Sequence, residues 1–144
     1  MIMPDTIQTY SIGEVSQITG LPSSTIRYYD SLEFLPYLQK NSQGVRQFTQ
    51  KDIDTIQVIE CLKRSGLTLK EIQNYTKLIA QGDHSLKERR EIFYRTRQRL
   101  LNKMDELQAT LKVLDFKCQY YDRALKEGTE KNVLAEMSLS QLEK

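Results

Sequence analysis

One stretch governs what this chain can fold into. Between residues 86 and 127 the apolar side chains recur as Phe93, Leu100, Met104, Leu107, Leu111, Leu114, Cys118, Tyr121 and Leu125. The intervals alternate four and three, and Arg97 is the one interruption. A seven-residue repeat sustained in this way predicts a helix with a coiled-coil seam. A helix packed only on its own domain would repeat nearer 3.6 residues and carry a wider stripe. Length separates the two: about 40 helical residues span roughly 60 Å. A globule built from the rest of a 144-residue chain cannot cover that span. Pairing with a second chain is therefore expected, and among closed symmetric assemblies the dimer is the commonest.

The remainder reads as short helices between clear starts and stops. Ser11-Ile-Gly-Glu14, Thr68-Leu-Lys-Glu71 and Ser85-Leu-Lys-Glu88 have the spacing of a capping box, and Thr49-Gln-Lys-Asp52 is a weaker acidic version. Gly20, Gly66, Gly82 and Gly128 each follow a plausible last turn. Helices are predicted over about 12–19, 23–32, 50–65, 69–81 and 86–127. Between the second and third, LPYLQ and VRQF flank the polar KNSQG, which predicts a small β-hairpin. Residues 129–144 read as a frayed tail with a short helix around Val133–Met137. No apolar run of membrane-spanning length and no signal-peptide pattern appear, so a soluble cytoplasmic protein is expected. The two cysteines, 57 positions apart, form neither a metal pair nor a disulfide framework.

Overall charge does not identify a partner. Residues 1–84 hold eight Lys/Arg against nine Asp/Glu, so any nucleic-acid binding must be shown by a specific motif. Such a motif is present: helix, tight glycine turn, helix, hairpin is the outline of a winged helix-turn-helix. On a wheel of the second helix, Thr25, Ile26, Tyr29 and Leu32 fall on one side, whereas Ser24, Arg27, Tyr28 and Ser31 fall on the other. The second side suits phosphate and base-edge contacts. It would equally serve as a solvated surface. Pro22-Ser23-Ser24 leaves backbone amides outward at the helix start, an anion site. Lys40 and Arg46 flank the hairpin tip; basic residues there can hold a flanking backbone or merely protect a strand edge.

Tyr10-Ser11-Ile12-Gly13-Glu14, Thr25-Ile26-Arg27-Tyr28-Tyr29-Asp30, Gly44-Val45-Arg46-Gln47-Phe48, Asp52-Ile53 and Gly66-Leu67-Thr68-Leu69-Lys70-Glu71-Ile72 occur in the order and spacing of the DNA-binding domain of MerR-family bacterial transcription regulators. The resemblance extends over about residues 9–127. It implies a mainly α fold: a winged helix-turn-helix domain with a small hairpin wing over 9–82, a dimerisation helix forming an antiparallel coiled coil over 85–127, and a short tail over 128–144. It further implies a homodimer on a near-palindromic promoter spacer, bending and untwisting double-stranded DNA so that RNA polymerase engages both promoter elements. The elastic cost of such a distortion is of order 1–6 kcal/mol and is offset by backbone contacts. Ser11, Ser23, Ser24, Thr25, Arg27, Tyr28, Tyr29, Lys40 and Arg46 are the expected DNA contacts. Val45 stands where the wing's Tyr-Arg pair usually has tyrosine, and Phe48 replaces a second aromatic hydroxyl, which removes two possible phosphate contacts.

The signal sensed is less constrained. Metal-sensing members carry cysteines near the start of the dimer helix and in the loop after it; from Glu127 onward this chain has neither Cys nor His. His84 is the single histidine, with no thiol near it in sequence, so no metal site and no cofactor are expected. Multidrug-sensing members carry a large C-terminal ligand domain; with 17 residues after residue 127, such sensing is not expected unless a second chain supplies the pocket. Cys61, within IECLKRSGL, resembles the lone cysteine of the aldehyde- and thiol-stress branch of AdhR/NmlR-like regulators. Arg64 one turn on favours its thiolate, while the helix C-terminus disfavours it. Electrophile or redox sensing at Cys61 is weighed against a free cysteine that only packs, in a regulator that answers to a small organic ligand or simply represses. Cys118, on the seam, fits the packing role. Enzyme motifs are absent: there is no glycine-rich phosphate loop and no nucleophile motif.

Overall fold

The computed structural model describes residues 7–142. Six α-helices and one two-stranded hairpin follow in the order α1 (Ile12–Thr19), α2 (Ser23–Ser31), β1 (Gln39–Lys40), β2 (Arg46–Gln47), α3 (Gln50–Arg64), α4 (Leu69–Ala80), α5 (Leu86–Glu127) and α6 (Lys131–Glu136). The described residues form two compact units that divide between residues 97 and 98.

The helix starts behave largely as their capping residues dictate. Ser11 Oγ accepts from Glu14 N at 3.1 Å, and Glu14 Oε1 accepts from Ser11 N at 3.0 Å. Thr68 and Glu71 form the same reciprocal pair at the start of α4. Ahead of α3, the Asp52 carboxylate accepts from the Thr49 amide at 2.7 Å and the Thr49 hydroxyl at 3.2 Å. Ser85 departs from expectation. Its hydroxyl donates inward to the carbonyls of Leu78 (2.5 Å) and Gly82 (2.7 Å), and a 3-10 turn over Asp83–Ser85 leads directly into α5. With its hydroxyl donating to these carbonyls, and the Leu86 amide already bonded to Asp83 O, Ser85 does not form the expected box with Glu88.

In the first unit one apolar cluster joins the elements: Val15 from α1, Ile26 and Tyr29 from α2, Phe34 and Leu35 beyond it, Phe48 beside the hairpin, and Ile53, Ile56, Ile59 and Leu62 along one face of α3. Ile72 and Leu78 of α4 and Ile92 of α5 close it. Tyr75 and Phe93 meet edge to face with centroids 5.2 Å apart, so the first turns of α5 pack into this unit. The turn between α1 and α2 depends on Gly20, whose φ of 74° is left-handed, and whose N–H closes the last turn on Ser16 O.

The tail is a correction to the sequence reading. It is not frayed over its described length: α6 folds back within the second unit, burying Val133 against Phe116, Tyr120 and Ala124 of α5, with Met137 and Leu142 alongside. The Tyr120 hydroxyl donates to Glu130 at 2.8 Å, and Arg123 reaches Glu127 at 3.2 Å and Glu136 at 2.5 Å. The helix expected around Val133–Met137 occupies Lys131–Glu136; residues 143 and 144 lie outside the described residues.

Candidate nucleic-acid interface

The second helix separates its side chains as the wheel requires. Ile26 and Tyr29 are buried, Thr25 and Leu32 half-buried, and Ser24, Arg27, Tyr28 and Ser31 exposed. The neighbouring tyrosines are thus divided: Tyr29 is 1% exposed and Tyr28 49%. Tyr29 packs its ring against Phe34 and directs its hydroxyl to α3, donating to Glu60 and accepting from Lys63 Nζ at 2.8 Å. Burial, reinforced by Glu60, raises the Tyr29 pKa, so the phenol stays protonated. Tyr29 thus places its ring in the core, while its hydroxyl is held at the edge of α3 by the partly exposed Glu60 and Lys63. Lys63 is held cationic above its ordinary range, chiefly by that hydrogen bond.

Other expected contacts divide by what their side chains already do. Ser24, Arg27 and Tyr28 stand on the exposed face, Ser23 and Thr25 at its half-buried margin. Ser11 uses its oxygen to cap α1 while remaining exposed. Of the departures noted in the wing, Val45 is 56% exposed, whereas Phe48 is fully buried. Phe48 pairs with Tyr10 through Tyr10 N–Phe48 O (2.7 Å) and Phe48 N–Tyr10 O (3.0 Å), with its ring in the core.

The hairpin is shorter than the flanking apolar residues imply, with two residues per strand in the register Gln39↔Gln47 and Lys40↔Arg46. Its tip is closed by side-chain hydrogen bonds. Asn41 Oδ1 accepts from the amides of Gln43 (2.9 Å) and Val45 (3.0 Å), and Gly44 adopts φ 78°. An asparagine opening a turn supplies that bond pattern. The two cross-strand cations converge on one carboxylate of α2: Arg46 Nε lies 2.8 Å and Lys40 Nζ 3.6 Å from Asp30 Oδ2. Asp30 was not among the residues expected to matter.

Cys61 is exposed and free on α3, beside exposed Asp54, Gln57 and Arg64. Along α5, Phe93, Leu100, Met104, Leu107, Leu111, Leu114, Cys118, Tyr121 and Leu125 are all exposed, as is Arg97. The tail covers the 116–120–124 face and leaves those positions bare. Among the described residues no three His, Cys, Asp or Glu side chains group as a metal would need, and no helix is long and apolar enough to cross a membrane.

Two family patterns match: "MerR HTH family regulatory protein" over residues 10–78 and "MerR, DNA binding" over 53–115. An uncharacterized HTH-type transcriptional regulator of Haemophilus influenzae is 30% identical over 125 residues, spanning 87% of this chain and 93% of that protein. The HTH-type transcriptional regulator AdhR of Bacillus subtilis is 34% identical over 91 residues, 63% of this chain and 65% of AdhR. In three dimensions the chain is similar to HiNmlR, described as a MerR family regulator lacking the sensor domain and bound to promoter DNA. That likeness has a TM-score of 0.77 and 29% identity, and covers 87% of this chain and 99% of HiNmlR. These proteins are regulators of transcription rather than enzymes. With a relative at this identity along nearly its whole length, the chain belongs to the MerR family of helix-turn-helix DNA-binding transcriptional regulators.

Proposed function

We propose that this chain binds a promoter spacer as a homodimer, grips it with α2 and the wing, and distorts it. One observation carries the reading. Ser24, Arg27 and Tyr28 present hydroxyls, a guanidinium and a phenol on one uncovered face, and the wing cations Lys40 and Arg46 are tied to the same helix. Such donors suit phosphate oxygens and base edges. HiNmlR, similar over most of this chain, is seen bound to promoter DNA. Residues 9–82 would read DNA, 85–127 would pair two copies along the seam, and 128–144 would brace the far end of α5. The charge along α5 supports an antiparallel pairing, since residues 86–99 carry six Lys/Arg against two Asp/Glu while 105–127 carry four against five. Antiparallel helices place those unlike stretches side by side; parallel ones would set the basic stretches together.

The signal is proposed to be an electrophile, aldehyde or oxidant acting at Cys61. Its exposure supports this, because a thiol that serves only for packing is ordinarily buried. A thiol buried among apolar neighbours would have supported the alternative of an organic-ligand sensor or simple repressor. Circular-permutation gel shift with the chain's own promoter spacer tests binding and bending together. A retarded complex whose mobility varies with site position is expected; binding without such variation removes the distortion, and no binding removes the reading. Transcription from the same promoter, with and without aldehyde, tests Cys61→Ser. Loss of the response is expected, and a response kept in full assigns the signal elsewhere.

A further inference from the structure

We propose that Asp30 is a positioning residue that sets the distance between the α2 contacts and the wing contacts on DNA. The inference rests on the DNA-binding reading above. Asp30 is the next-to-last residue of α2, where a negative charge meets the negative end of the helix dipole and is locally unfavourable. Its carboxylate also lies against Arg46 and Lys40, the wing cations assigned to DNA, where it would repel phosphates. Neither place favours an acid. What compensates is its pair of partners: Arg46 at 2.8 Å and Lys40 at 3.6 Å. These two are opposite one another in the hairpin register, so a single oxygen ties both strands to the helix. The hairpin has only two residues per strand, and a ladder that short does not hold an orientation alone.

The geometry leaves the cations usable. Asp30 engages Arg46 through Nε, so the terminal guanidinium nitrogens keep their donors for a phosphate. The side chains of Asp30 and Arg46 are 19% and 28% exposed and that of Lys40 is 50%, so the Arg46 contact is the better shielded of the two. Asp30 thus touches no DNA itself; it places side chains that do.

A simple acid near DNA and a positioning acid make opposite predictions. Removing the former strengthens binding to every duplex. Removing the latter weakens binding only where helix and wing must engage together. The probes are a duplex enriched from a random pool by the wild-type full-length chain and a scrambled duplex of equal length. Asp30→Ala is expected to bind the enriched duplex about tenfold more weakly, the size of one charge-assisted contact. Its affinity for the scrambled duplex should stay the same or rise. Alanine favours the helix over aspartate, and a circular dichroism spectrum matching wild type is expected. Asp30→Asn, which keeps the shape and loses the charge, should fall between the two. In an Arg46→Ala background Asp30→Ala should cost nothing further, because the residue it places is gone. Wild-type affinity in Asp30→Ala, tighter binding to both duplexes, or additive losses in the double variant would overturn the proposal. A wild-type chain that enriches no duplex at all would instead remove the DNA-binding reading on which it stands.

Discussion

Tyr28 and Tyr29 show how far single residues can be read. Their division follows from the 3.6-residue turn and needs no structure. What the sequence does not contain is the partner of each hydroxyl, since Glu60 and Lys63 lie 31 and 34 residues away. Tyr29→Phe should destabilise the first unit by about 1.5–3 kcal/mol, the size of a hydrogen bond to charged groups, read as a lowered thermal midpoint. Asp52 makes a second residue-level case. It is fully buried, one carboxylate oxygen lacks a protein partner, and burial raises its pKa despite the Thr49 bonds. The sign follows from linkage. A carboxyl whose folded pKa exceeds its unfolded value adds stability below the unfolded pKa, and that contribution is lost as pH rises through the folded pKa. Thermal midpoints of wild type and Asp52→Asn should therefore shift against wild type as pH rises across that acidic window. A difference independent of pH would mean that Asp52 titrates alike in both states.

At the scale of elements, the helices were legible because their ends are chemically marked, and the exceptions share a cause. Ser11 and Ser85 head the same four-residue pattern, yet only Ser11 follows extended backbone and can cap. Ser85 lies inside a 3-10 turn, which the local sequence does not announce. Asp30 stands in the family motif but has no role legible there for a related reason: its partners belong to a hairpin 10 and 16 residues on, and ion pairs across elements leave no spacing signal. The tail was underrated because six helical residues are too few for a periodic stripe, although Val133 and Met137 lie one turn apart. Two substitutions examine these elements. Ser11→Ala should cost about 1 kcal/mol through loss of the α1 cap, measurable by chemical denaturation. Val133→Ala should free the tail, so that proteolysis near Gly128 accelerates while α5 keeps its circular dichroism. An unchanged cleavage rate would mean that Val133 does not hold α6.

The whole molecule joins a DNA-facing unit to a helix too long for one chain to cover. Leu107, Leu111 and Leu114 are exposed in the single chain, and the proposed dimer would cover them with a second copy. Leu111→Asp should convert a dimer to a monomer in sedimentation; a dimer of unchanged affinity would place the interface elsewhere. If the exposed face of α2 grips phosphate, the salt dependence of DNA affinity must differ between wild type and Arg27→Ala. Each phosphate contact contributes about −0.9 to the slope of log K against log salt. A variant that binds more weakly across many sequences, with a slope shallower by about one per subunit, is predicted. A slope equal to that of wild type would contradict the claim.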